Sequence, residues 1–233
     1  MPKKEQKRSR QERLPNRIIP ISNPDKEGWH EKWYEGRGKL NIPHPSRILA
    51  MGPPNVGKTT CAKNIILRAH PPYKKVIVIH PDPDYSREWD DIDAEILPRI
   101  PEPEEWEGEE KTFVVVDDLE VKQLPKEQAR ALDRLFGYVS THKNISVYLT
   151  SQNFSNIPPA VRRMSNFIIL WKINDLDAMK IVSRKCGIKA SELLDIFENL
   201  MSNYNDALWI DMTAFSPYKL RKNGFDVLEK IKP

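Results

Sequence analysis

The sequence predicts an α/β fold with a mostly parallel central sheet flanked by helices. Three observations predict it. Short apolar runs of strand length alternate with stretches whose apolar residues recur at helical spacing. One of these runs enters a glycine-punctuated loop that opens a helix. Two others end in Asp117-Asp118 and in Ser151-Gln152, where a strand would deliver polar side chains to a common sheet edge. Strand–helix alternation calls for right-handed crossovers, and those give parallel pairing.

The loop is Gly52-Pro53-Pro54-Asn55-Val56-Gly57-Lys58-Thr59-Thr60, the Walker A pattern of glycine, four residues, then Gly-Lys-Thr. A loop wrapped round phosphates must bring backbone N–H groups close to oxygens, and glycine lets the main chain approach and turn. The helix starting at Lys58 points unpaired N–H groups and its positive dipole end at the anion. Lys58 would reach the β- and γ-phosphates, and the Thr59 hydroxyl would ligate Mg²⁺. The context fits. Residues 46–51 read as a short apolar strand, and Cys61, Ala62, Ile65, Ile66 and Ala69 recur at helical spacing until Pro71-Pro72 stops the helix.

Further along, Lys75–His80 is a continuous apolar run of the kind a buried parallel strand shows. Residues 81–110 are acidic and proline-rich and read as a solvated loop rather than a metal site. Thr112–Val116 is the next strand. It delivers Asp117 beside the phosphate loop as a Walker B carboxylate for Mg²⁺. Asp118 can orient or deprotonate an attacking water, with Glu120 as the alternative base. Pro125 opens a helix carrying Ala129, Leu132, Leu135, Phe136 and Val139. Ile145–Thr150 is a strand whose end carries Gln152, a polar residue placed to sense the γ-phosphate or position water. Phe167–Trp171 and Ala207–Asp211 are strands. Helical patterns run from about Asp175 to Lys185 and from Ser191 to Met201.

An arginine finger is harder to place. Arg162 and Arg163 follow Pro158-Pro159, and Arg130 and Arg134 lie on the preceding helix; each could reach a neighbouring subunit. The guanine-recognition patterns NKxD and TKxD are absent, which argues for ATP over GTP.

Composition bounds the rest. The chain has 233 residues, two cysteines (Cys61 and Cys186) and a net charge of +4. Two lone cysteines suit a reducing setting. No apolar run approaches the ~20 residues of a membrane span, and the N-terminus lacks the apolar region of a signal peptide. Residues 1–17 hold seven bases and two acids; the remainder holds 30 bases and 31 acids. The expected organisation is a disordered basic arm over 1–25, an aromatic docking segment over 26–45 with Trp29, Trp33 and Tyr34, an ATPase domain over 46–216, and a basic tail over 217–233. The arm, with Lys219, Arg221 and Lys222, is the expected phosphate-contacting surface for nucleic acid.

Gly52–Thr60, Val114–Leu119, and above all His142-Lys143-Asn144-Ile145-Ser146-Val147-Tyr148-Leu149-Thr150-Ser151-Gln152 followed by Ile157-Pro158-Pro159-Ala160-Val161-Arg162-Arg163 resemble the poxvirus-type virion genome-packaging ATPases of the FtsK–HerA superfamily. The resemblance covers about Arg47 to Asp226. It implies an additional-strand, RecA/FtsK-like P-loop NTPase that uses ATP and Mg²⁺. It implies a ring homo-oligomer, hexamer or pentamer, that drives double-stranded DNA into a preformed capsid. Partners would be DNA and a capsid-vertex or other virion protein, at a virus assembly site in the host cytoplasm or nucleus or in the virion. Lys58 and Thr59 match the phosphate-loop roles, Asp117 the magnesium role, Asp118 the base and Gln152 the sensor. Thr141 stands where relatives commonly carry arginine, so the finger would shift to Lys143 or to Arg162 and Arg163. Asp-Asp at Walker B matches the viral branch; cellular pumps carry Asp-Glu. The alternatives are a cellular or plasmid DNA pump, a small-molecule phosphotransferase and a nucleotide-gated binding protein.

Overall fold

The structure, a computed structural model, describes residues 40–83, 87–214 and 219–228. The expected basic arm and most of the aromatic segment lie outside the described residues.

Runs of valine, isoleucine and leucine favour extended backbone and bury well on both faces of a sheet. Nine strands form among the described residues: β1 (Arg47–Met51), β2 (Lys75–Ile79), β3 (Glu95–Leu97), β4 (Thr112–Val116), β5 (Ile145–Ser151), β6 (Phe167–Trp171), β7 (Ala207–Asp211), β8 (Leu220–Lys222) and β9 (Asp226–Val227). They make one sheet in the order β3-β2-β4-β5-β1-β6-β7-β8-β9. Strands β1 to β6 pair in parallel, and β7 to β9 extend the sheet antiparallel. Strand β5 lies between β1, which feeds the glycine loop, and β4, which ends at Asp117.

The period of two along each strand sorts side chains between two core layers. Leu49, Ile77, Val114 and Val147 face one layer. It is covered by α2 (Lys126–Arg134, continuing through a π-helical turn at Leu135–Val139 into Ser140–His142), α4 (Leu176–Cys186) and α5 (Ala190–Asn199). A short α3 (Pro159–Met164) contributes Val161. Ile48, Ala50, Val78, Val115 and Tyr148 face the other layer, where α1 (Lys58–Arg68) lies with Trp89, Trp171 and Trp209.

Two stretches differ from expectation. Residues 81–110 are not simply a solvated loop. Trp89, Ile92, Ile100 and Trp106 are buried, and β3 closes one sheet edge. The carboxylates there sit between aromatic anchors, and several are engaged; Glu105 takes a two-pronged contact from Arg99 at 2.8 and 2.6 Å. The basic residues after 217 are not all tail. Residues 220–222 and 226–227 lie in the sheet, because Leu220 and Arg221 turn inward. Arg221 is 2% exposed, near the rings of Phe167 and Trp209, and donates to the carbonyls of Leu40, Gly224 and Asn41. Lys222 pairs with Asp206 at 2.8 Å. Neither offers a free cation to a phosphate backbone, which corrects their assignment as DNA contacts. Lys219 donates to the Cys186 carbonyl.

Candidate active site

The glycine loop leaves the C-terminal end of β1 and turns into α1. Its two motif glycines are required for different reasons. Gly57, the residue before α1, has φ +96°, a left-handed conformation that side chains rarely adopt, with open space around it. At Gly52 the constraint is contact. A Cβ there would lie 2.7 Å from the Trp171 Cβ and 3.0 Å from Val56. The loop is therefore seated flat on β6. Tyr204, from the loop before β7, holds its outer side by donating to the Pro54 carbonyl at 3.1 Å. Val56 is buried, so it can offer a ligand only its backbone.

Lys58 is nearly buried, and its Nζ donates to the Gly52 and Pro53 carbonyls at 3.0 and 2.7 Å. Burial pulls its pKa below the ordinary lysine value, and the charges of Asp118 and Asp117 push the other way. Asp117, 3% exposed, directly follows β4. Its Oδ1 accepts from the Thr150 hydroxyl at 2.9 Å, and the Thr59 hydroxyl lies 3.4 Å from its Oδ2. Burial pushes its pKa up, and the charge of Asp118 adds to that. Asp118 is exposed and has φ +51°. Consecutive residues of a straight strand would face opposite sides; this left-handed turn lets both carboxylates line one cleft.

That cleft, about 470 Å³, is lined by Asn55, Gly57, Lys58, Thr59 and Thr60 from the loop and helix, and by Asp117, Asp118 and Gln152. A smaller hollow of about 220 Å³ continues it between Lys58, Asp118, Gln152 and Glu120. Glu120 thus stands beside the second hollow, further from the loop. The arginines expected as fingers lie elsewhere. The Arg162 guanidinium lies 5.4 Å from the Phe154 ring, Arg163 and Arg130 are exposed, and Arg134 meets Glu102 at 3.4 Å. None lines the cleft of its own chain. Lys143 is half-buried beside Gly108.

Sequence reasoning missed three participants. Thr150 bridges Asp117 and Asp118: its hydroxyl donates to Asp117 Oδ1 and accepts from the Asp118 N–H at 3.2 Å. Tyr148, buried, donates to the Lys58 carbonyl at 2.8 Å. Glu88, from the acidic segment, lines the cleft. Thr150 and Tyr148 were findable, because they lie on one face of β5 just before Gln152. Glu88 carried no such signal.

The cleft's donors fit a magnesium–nucleotide complex. Thr59 and Asp117 supply hard oxygens of the type magnesium takes, and the orphan N–H groups of α1 face the loop.

No protein-family profile and no curated protein matches the chain. Solved structures do. The genome packaging NTPase B204 from Sulfolobus turreted icosahedral virus 2 in complex with ATP-gammaS aligns with TM-score 0.52 at 14% identity, over 79% of this chain and 99% of that one. The same protein in complex with AMPPCP gives 0.51 at 14% identity, over 76% and 97%. The pCW3 conjugation coupling protein TcpA, in monomer form with ATPgS, gives 0.52 at 14% identity, over 81% of this chain and 61% of its own. This chain has the fold of these P-loop NTPases.

Proposed function

We propose that this chain is an ATPase that translocates double-stranded DNA and packages a viral genome into a preformed capsid. The observation that carries the reading is a single cleft bringing Lys58, Thr59, Asp117, Asp118 and Gln152 together, with β5 inserted between the phosphate-loop strand and the Walker B strand. Lys58 neutralises phosphate charge as the bond to the leaving phosphate lengthens. The Asp118 carboxylate accepts the proton of the attacking water, and Gln152 orients that water from the end of β5. Mg²⁺, held by Thr59 and Asp117, would spread the charge of the phosphates when bound. The packaging role is supported by the sequence resemblance and by the likeness to B204, a genome packaging NTPase. TcpA supports a second reading, a DNA pump of conjugation type, on the same chemistry.

Among the described residues, no arginine lines the cleft from its own chain. A copy alone should therefore be slow, and a neighbour supplying Arg162 or Arg163 should accelerate it. The test is ATPase rate against protein concentration, with and without double-stranded DNA. The expected rate per subunit rises with concentration and again with DNA. Asp118→Asn keeps ATP bound with turnover at least a hundredfold lower. A flat, DNA-independent rate overturns the translocase and favours a phosphotransferase or a nucleotide-gated binding protein. Normal turnover in Asp118→Asn overturns the base assignment.

A further inference from the structure

A second concavity, about 320 Å³, lies against the phosphate loop. It shares Asn55, Gly57 and Thr60 with the cleft over Lys58 and runs along one side of α1 to Arg68. That volume sits at the lower end of the ~300–1,000 Å³ typical of small-molecule sites. Its floor is aromatic, formed by the buried Trp171 and Trp209. Its outer wall is the turn between β8 and β9. There Gly224 lies on the Trp209 ring, where a Cβ would meet ring carbons at 3.0 Å. The next residue, Phe225, is 52% exposed, with the Arg68 guanidinium 5.7 Å from its ring. An exposed phenylalanine paired with an arginine on the rim of an aromatic groove is the chemistry that holds a flat, π-bearing ligand.

The two concavities meet at Thr60. The groove therefore opens directly beside the place where Lys58 and Thr59 would hold phosphates. We propose that this groove receives the nucleobase and ribose, with Phe225 as the stacking platform and Arg68 covering the edge. The inference rests on the ATPase reading and deepens it. It gives the β8–β9 turn, the segment that reads as a basic tail, a share in binding the base and ribose, opposite Asn55 and Gly57 of the glycine loop.

The test compares Kd for MgATP with Kd for inorganic tripolyphosphate with magnesium, by calorimetry on the full chain. Phe225→Ala should weaken ATP about tenfold, the ratio that about 1.4 kcal/mol of stacking gives, and leave tripolyphosphate unchanged. Phe225→Trp should restore ATP binding. The groove assignment is overturned if Phe225→Ala leaves ATP affinity within twofold, or weakens both ligands alike. Lys58→Ala separates the parent reading: it should weaken both ligands. If wild type binds neither, or Lys58→Ala changes neither, the ATPase reading fails and the groove assignment with it.

Discussion

At the scale of single residues, the side chain that ties the site together is Thr150. Its hydroxyl donates to the Asp117 carboxylate and receives the Asp118 N–H, so both residues depend on one oxygen. Thr150→Val keeps the shape and removes that oxygen. The buried Asp117 then loses a donor, which should cost about 1–3 kcal/mol of stability. Turnover should fall about tenfold by the same amount of misplacement, while Kd for MgATP stays within twofold. Thr150→Ser restores the hydroxyl and should recover most of the turnover. A serine variant as slow as the valine variant would show that packing, not the hydroxyl, matters. That Lys58, Thr59, Asp117, Asp118 and Gln152 would share one cleft was legible, because motif spacing and strand ends place them at one sheet edge. Thr150 was hidden because a threonine in a strand is ordinary until its neighbours in space are known.

At the scale of elements, the entry to β1 is pinned to the start of β5 by His44. Its Nδ1 accepts from the Ser146 hydroxyl and its Nε2–H donates to Asn144 Oδ1, each at 2.8 Å, which is a neutral imidazole's pattern. Ser146 Oγ accepts in turn from the Ser46 N–H. Burial lowers the His44 pKa from 6.5 to about 4, and the Lys111 charge adds to this against the Asn144 hydrogen bond. The unfolded chain therefore takes up a proton below about 6.5, and the folded chain does so only near 4. Stability is fully present above the first value and is lost as pH falls toward the second, by on the order of 3 kcal/mol. Urea unfolding at pH 7.5 and 4.5 checks it, because His44→Gln should lose less between the two than wild type. Equal losses would overturn the account. Helix and strand positions in the parallel half were legible from periodicity. Strands β3, β8 and β9 were not, since two or three residues carry no readable period. One signal was present: Asn223-Gly224, both at positive φ, form the turn between β8 and β9.

At the scale of the whole molecule, charge separates by segment. With Arg221 and Lys222 engaged inside the fold, the expected DNA-contacting cations concentrate in residues 1–17. Deleting 1–17 removes a net five positive charges. It should make the slope of log K for double-stranded DNA against log salt shallower by up to about 4, with the ATPase rate without DNA unchanged. An unaltered slope would place the DNA surface on the folded body. The sheet's outer limits bear on how copies can meet. Among the described residues, β3 has three residues and β9 has two, so these borders offer few unpaired backbone groups. A sheet ended this way resists being lengthened by another molecule's strand, the usual first step toward fibres. Where copies of this chain meet along these borders, side chains rather than a shared ladder would have to hold them.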